Sequence, residues 1–249
     1  MLILLPPSET KRAGGRRRPL DLEGLAFPAL APQREVVIDA LVMLSADEDA
    51  AARILRLGAT QRGEVAVNSE LRTAPTMAAI DRYTGVLFDA LDAASLDPTA
   101  RRWLGRHALV HSAPFGPVGA LDAIPSYRLG ASVSLPGLPA LTRVWADAVR
   151  HALSEAAPTF VLDLRSEAYA ALGPIPADVP SVYVRVVSDG DGGAVRALNH
   201  FNKHAKGSLV RLLAEARPRI GSRGGFVRWA DAAGLRVEDG ATGELRLFA

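Results

Sequence analysis

Short apolar runs, each stopped by a breaker and separated by helical patterns, limit what this chain can become. Residues 1–5 are continuously apolar and end at Pro6-Pro7-Ser8. Residues 160–164 and the β-branched, alternating residues 181–187 read as further strands, as do residues 108–112. Runs this short suit strands buried in a sheet. Helical patterns lie between them: 34–44, 50–57, 77–90 with a break at Thr84-Gly85, 98–105, the amphipathic 141–156, and 195–217, which begins extended. Ser45, with Glu48 three residues on, is the expected N-cap of the second helix, and Gly58 its stop. Residues 68–76 are polar. Residues 113–136, rich in Gly and Pro, read as too irregular for a long element. Residues 235–238 and 244–248 flank a Gly-containing turn and predict a hairpin. Strands interspersed with helices, without repeat or linker, predict one domain of mixed α/β (α+β) class, with a mixed sheet and surrounding helices.

The 249 residues contain no cysteine. That excludes thiol nucleophiles, thiolate zinc sites, iron–sulfur ligation and thiol-based peroxide sensing, and it fits a reducing cytoplasm. A chain of this length buries a sufficient core without disulfide or metal. No run approaches a membrane span, and no positive segment precedes residues 1–5, so neither membrane nor targeting signal is expected. The net charge is only +2, so a nucleic-acid argument must rest on local charge. Of 29 basic residues only Lys11, Lys203 and Lys206 are Lys. A Lys kept in so Arg-rich a chain either marks a place needing a compact ammonium or a titratable amine, or is there by chance.

Four segments carry candidate chemistry. Pro6-Pro7-Ser8-Glu9-Thr10-Lys11 would put hydroxyls and an ammonium at the carboxyl end of a strand, the ligand side of an open parallel sheet. It lacks the glycines of a Walker loop, and the alternative is a polar turn capped by Ser8. Between Arg196 and Arg228 eight basic residues face one acid, Glu215, a net +7 over 33 residues. Such a cluster repels itself unless an anion neutralises it, and the alternative is a solvated basic face. Its candidate phosphate contacts are Lys203, Lys206 and Arg211, and its aromatics are Phe201, Phe226 and Trp229. His200 and His204 have metal-ligand spacing but no third ligand, so no metal or cofactor is expected. The loop after residue 112 offers Asp122, Tyr127 and Arg128; Arg128 either pairs Asp122 or grips a phosphate or carboxylate. In Asp163-Leu-Arg-Ser-Glu-Ala-Tyr169, Asp163 is either salt-bridged or functional, because an unpaired charge in a buried strand is costly. Ser166 is placed to cap the next turn. A Ser112, His111 or His200, Asp163 triad can be assembled on paper, but no Gly-x-Ser-x-Gly elbow supports it.

Taken in order, several motifs resemble the YaaA family of peroxide-stress-response proteins, also called UPF0246. They are Met1-Leu-Ile-Leu-Leu-Pro-Pro-Ser-Glu-Thr-Lys11, Tyr83-Thr-Gly85, Ser112 through Gly116 into Leu121-Asp122, Pro125-Ser-Tyr-Arg-Leu129, Trp145-Ala-Asp147, Asp163-Leu-Arg-Ser-Glu-Ala-Tyr169, Phe201-Asn-Lys-His-Ala-Lys-Gly207 and Gly243-Glu-Leu245. The resemblance spans nearly the whole chain. It implies a single YaaA-like domain over 1–249 with a helix-hairpin-helix-like element at about 34–63 and a basic cleft. It also implies DNA binding and a role in limiting peroxide damage by restraining free intracellular iron. The turn at 44–50 carries three acids that repel phosphate, whereas 57–63, with its glycines, Arg56 and Arg62, is the better phosphate cradle. The leading expectation is a protein that binds duplex or distorted DNA weakly and with little sequence preference, through the Arg196–Arg228 cluster and the loop at residues 11–18. The alternative is an enzyme for a nucleotide or other small anionic substrate. It would use Lys11 or Lys203 as base or nucleophile, with Ser8, Tyr127, Asp163 and Tyr169 at strand ends. An iron-binding or redox role rests on the family's physiology alone.

Overall fold

The structure is a computed structural model that describes the backbone of residues 1–189, 195–196 and 199–248, and side chains outside 188–200 and 249. The strands are β1 (Leu2–Leu5), β2 (Met77–Ala78), β3 (Ala108–Ser112), β4 (Gly116–Gly119), β5 (Ala123–Ile124), β6 (Val161–Asp163), β7 (Ser181–Asp189), β8 (Val195–Arg196), β9 (Val237–Asp239) and β10 (Glu244–Phe248). The helices are α1 (Ala31–Leu44), α2 (Glu48–Ile54), α3 (Glu64–Ser69), α4 (Ala79–Arg82), α5 (Val86–Leu91), α6 (Pro98–His107), α7 (Leu141–Ala156), α8 (Glu167–Leu172), α9 (Asn199–Ala216) and α10 (Arg223–Ala232).

The main sheet runs β4-β3-β1-β6-β7-β10-β9, with β8 paired on β7. Strands β3, β1, β6, β7 and β10 are mutually parallel, and β4 and β9 join antiparallel. Thus the sheet is mixed and the fold is α/β, as expected. The apolar runs explain the centre. Nearly every residue of β1, β3 and β6 is buried, as parallel strands covered on both faces require. The register sets Ile3 against Ala108 on one side and Leu162 on the other.

Around it, α7 buries Leu141, Trp145, Val149 and Leu153 at helical spacing, and Trp145 Nε1 donates to the Ala113 carbonyl at 2.9 Å. Helix α6 begins where Asp97 accepts from the Thr99 and Ala100 amides, with Pro98 in its first turn. Helix α9 lies against α5 so closely that a Cβ on Gly207 would come 2.1 Å from the Leu87 carbonyl oxygen. The hairpin near the end forms, β9 against β10, and β10 then adds to β7 in parallel.

Several expectations need correction. Ser45 does not cap α2; its hydroxyl donates back to the Leu41 carbonyl at 2.8 Å and closes α1, while Asp47 accepts from the Ala50 amide as the true N-cap. Residues 77–90 are not one helix. Met77–Ala78 pairs with Ala123–Ile124 as a two-stranded sheet, and only then do α4 and α5 follow, broken at Thr84-Gly85 as expected. The Gly/Pro segment after β3 is not wholly irregular, for it supplies β4 and β5. Ser166 sits at the N-cap of α8, but its side chain makes no capping bond.

Buried arginines fasten the loops. Arg34 donates to the carbonyls of Phe115, Ala26, Pro117, Leu22 and Phe27. Arg82 donates to those of Ile124, Arg12 and Pro75. A guanidinium taken out of water needs such a full set of acceptors.

Candidate functional site

The carboxyl ends of the parallel strands gather the candidate residues. After β1 the chain turns through Pro6-Pro7 into a loop in which the Ser8 and Thr10 hydroxyls lie 3.2 Å apart and Thr10 donates to the Thr84 carbonyl. Gly85 makes this approach possible. Its φ is +92°, and a Cβ there would stand 3.2 Å from both hydroxyls. Lys11 turns back under the loop. Its ammonium donates to the Ser8 carbonyl at 3.0 Å and the Glu9 carbonyl at 3.3 Å, and lies 3.9 Å from the centre of the Tyr127 ring. Burial, then the nearby Arg128 charge, bring its pKa down to about 7.

Tyr127 and Tyr83 share a hydrogen bond of 2.8 Å with the Ser112 hydroxyl beside them, and burial pushes both phenols up. Tyr169, from α8, feels the charges of Glu9 and Arg128 and completes this wall. Arg128 does not pair Asp122. Asp122 is spent on the Ala26 and Gly119 amides at 2.7 Å each, while Arg128 holds Glu9 at 3.1 Å and Glu64 at 3.4 Å. Asn68 fixes the Arg128 backbone through both its amide and its carbonyl. Lys11, Tyr127, Tyr169 and Arg128 therefore meet in one place, and Ser8 stands at its rim.

Asp163 belongs to a second cluster, one strand over. Arg165 forks it, Nη2 to Oδ2 at 2.7 Å and Nε to Oδ1 at 2.9 Å, both groups buried. The same guanidinium donates to the Gly173 carbonyl and to His111 Nδ1 at 2.9 Å. Arg165 can only donate, so His111 accepts there and carries its proton on Nε2, which is buried without a partner among the described residues. Burial and the Arg165 charge hold the His111 pKa down. Ser112 accepts from the Phe115 amide. With Asp163 claimed by Arg165 and His111 locked as its acceptor, these residues form no Ser-His-Asp triad.

Lys206, on α9, is buried and donates to the Arg165 carbonyl at 3.3 Å, with the Tyr183 ring 5.3 Å away. Burial brings its pKa to about 8. Lys203, a turn earlier, is exposed, as is His204; the His200 side chain lies outside the described residues. Among the described residues no group of His, Asp and Glu could hold a metal. Arg211 lies apart, held by Glu215 at 3.0 Å, by Asp92 and by Ser95. Arg217 pairs Asp97 and Arg223 pairs Asp239. Acids distant in sequence thus neutralise much of the Arg196–Arg228 cluster. Phe226 is buried, whereas Phe201 is 60% exposed.

Three residues of the site are not singled out by sequence: Tyr83, Glu64 and Asn68. Tyr83 does lie in the Tyr83-Thr-Gly85 motif. Nothing local distinguishes Glu64 or Asn68, whose partners are remote in sequence.

No helix among the described residues is long and apolar enough to cross a membrane. A family model described as peroxide stress protein YaaA matches residues 1–238. A UPF0246 protein of Streptomyces coelicolor is 47% identical over 217 residues, covering 86% of this chain and 82% of its own. One of Corynebacterium efficiens is 43% identical over 242 residues, 96% and 95%. A more distant one, of Bordetella avium, is 27% identical over 233 residues, 88% of each. The matches run through the strands, loops and α9 that build the site, and the chain belongs to the YaaA (UPF0246) family of peroxide stress proteins.

Proposed function

We propose that this peroxide stress protein binds the phosphate backbone of DNA through the loop at residues 11–18. The observation that carries the reading is a set of free guanidiniums on a pinned backbone. Arg12, Arg16 and Arg18 are exposed and, among the described residues, make no ion pair. The loop under them is fixed. The Arg12 amide donates to the Arg82 carbonyl, and the Arg82 guanidinium donates back to the Arg12 carbonyl. The Arg16 and Arg17 amides donate to the Thr76 carbonyl, and the Thr76 hydroxyl donates to the Arg18 carbonyl. A backbone fixed in advance loses little further entropy when a phosphate arrives, so only side-chain freedom is given up.

The expected helix-hairpin-helix-like element at 34–63 would add to this strip; Arg128 pairs both Glu64, just after it, and Glu9, just before the loop, which supports the reading. Within it Arg62 is held by Glu48 and Asp49, while Arg53 and Arg56 are exposed and make no ion pair among the described residues. Exposed Lys203 supplies a further contact from α9. No base-reading set is in view among the described residues, so binding is governed by backbone charge.

The test is a salt titration of binding to a fluorescent oligonucleotide as duplex, bubble and single strand. Log affinity falls linearly with log salt. Replacing Arg12, Arg16 and Arg18 by Ala lowers the slope by about 0.9 for each duplex phosphate no longer neutralised. Arg211→Ala changes it little. Affinity that is insensitive to salt, or equal in the triple variant, overturns the reading.

A further inference from the structure

Strand order marks a second place on this molecule. From β1 the chain reaches β3 on one side, then crosses back to β6 on the other. The loops leaving β1 and β6 therefore diverge, and between them lies a topological switch point, where open parallel sheets leave a crevice at the carboxyl ends of the strands. Two close approaches set the walls. The Ser8 and Thr10 hydroxyls rest on Gly85 at the head of α5, and Gly207 of α9 rests on the Leu87 carbonyl half a turn along. Lys206, next to Gly207, then reaches the Arg165 carbonyl at the end of β6.

Lys206 is the anomaly at that point. It is 4% exposed, yet no carboxylate among the described residues pairs it. Asp163 is forked by Arg165, and Glu167 is held by Arg185. One carbonyl at 3.3 Å and a tyrosine face do not satisfy three ammonium protons. Asp163 and Glu167 act on it only at a distance, and a buried charge with no carboxylate in contact is expensive and favours a bound anion. The Arg165 fork nearby is already occupied, which disfavours bidentate carboxylate binding and leaves Lys206 as a point charge, the usual lysine mode for phosphate.

We propose that the crevice between the loops after β1 and β6 binds a small phosphate-bearing metabolite, with Lys206 as its countercharge and Ser8, Thr10 and Ser166 as hydroxyl contacts. This site is separate from the arginine loop and does not depend on DNA binding.

The experiment is calorimetric titration of the full chain with inorganic phosphate and with pyrophosphate, alongside thermal unfolding. Saturable binding is expected, weakened about tenfold or more by Lys206→Met and measurably by Ser8→Ala. Without ligand, Lys206→Met unfolds at the same temperature or higher, because it removes an unpaired buried charge; a merely structural lysine would show the reverse. Ser8 is only partly buried and lies outside the core, so its variant tests the site even if the core variant misfolds. The Arg12, Arg16, Arg18 triple variant keeps wild-type affinity for both probes. Absence of saturable binding up to about 10 mM, or equal affinity in the Lys206→Met and Ser8→Ala variants, overturns the proposal. Loss in the triple variant instead would assign the phosphate to the arginine loop and also overturn it.

Discussion

Enclosed amines and phenols make stability depend on pH. Lys11 titrates near 7 and Lys206 near 8 in the folded chain, against an ordinary value of 10.5. Between these values and 10.5 the unfolded chain binds more protons, so stability rises with pH across that window. Tyr83, Tyr127 and Tyr169 are pushed above 10, so above pH 10 the unfolded chain loses protons first and stability falls again. Urea midpoints measured from about pH 7 to 11 will climb and then drop, and Lys11→Met will flatten the climb; a flat wild-type profile would contradict this assignment. The Asp163–Arg165 fork makes a second residue-level prediction. Arg165→Ala leaves a buried carboxylate alone and costs about 3–5 kcal/mol by urea unfolding. Asp163 is legible in the sequence as a residue that must be paired or used, because a charge in a buried strand has few other fates. Its partner, two residues away, bonds it so fully that it is paired. Lys206 as a buried ammonium is not legible, since nothing in its own helix shows that the Arg165 carbonyl lies above it.

At the level of elements, periodicity reveals what local sequence decides. Strands β1, β3, β6, β7 and the β9–β10 hairpin follow from apolar runs, and α7 from its buried stripe. Strands β2, β4 and β5 escape such a reading because their pairings, not their residues, make them strands: Met77 finds Ile124 and Leu109 finds Gly119 only after folding. The cap of α2 falls two residues past the expected one, as Ser45 and Asp47 both fit the pattern and the Ser45 hydroxyl turns inward instead. Asp47→Ala should therefore cost about 1 kcal/mol, and Ser45→Ala should not act through α2. Helix α9 depends on Gly207 more than on its charges. Gly207→Ala must push α9 off α5 and should cost about 1–3 kcal/mol, read as a lowered midpoint of thermal unfolding.

Across the whole molecule, the basic stretch 196–228 shows the limit of reading charge along a chain. Asp92, Asp97 and Asp239 come from other elements to meet its arginines, so a net +7 in sequence is not a +7 surface. Exposed arginines without an ion pair among the described residues include Arg219 and Arg228 within that stretch and Arg12, Arg16 and Arg18 in the loop at residues 11–18. Strand β10 shows the same dependence on distant parts. It buries Leu245 and Leu247 and covers the edge of β7 over five paired residues. Removing residues 244–249 uncovers that edge, and the shortened chain should aggregate on expression or unfold without cooperativity, as sedimentation and circular dichroism will report.

The central place of β1 also governs how the molecule comes into being. Strand β1 leaves the ribosome before either of the strands that it pairs with. One flank waits for Ala108–Val110, the other for Val161–Asp163. At about 5–20 residues per second, that leaves an apolar segment with open edges for on the order of ten seconds or more in each round of synthesis. Nascent chains are then most exposed to misassociation, and folding of the sheet core is tied to completion of its middle strands rather than to the order in which they are made.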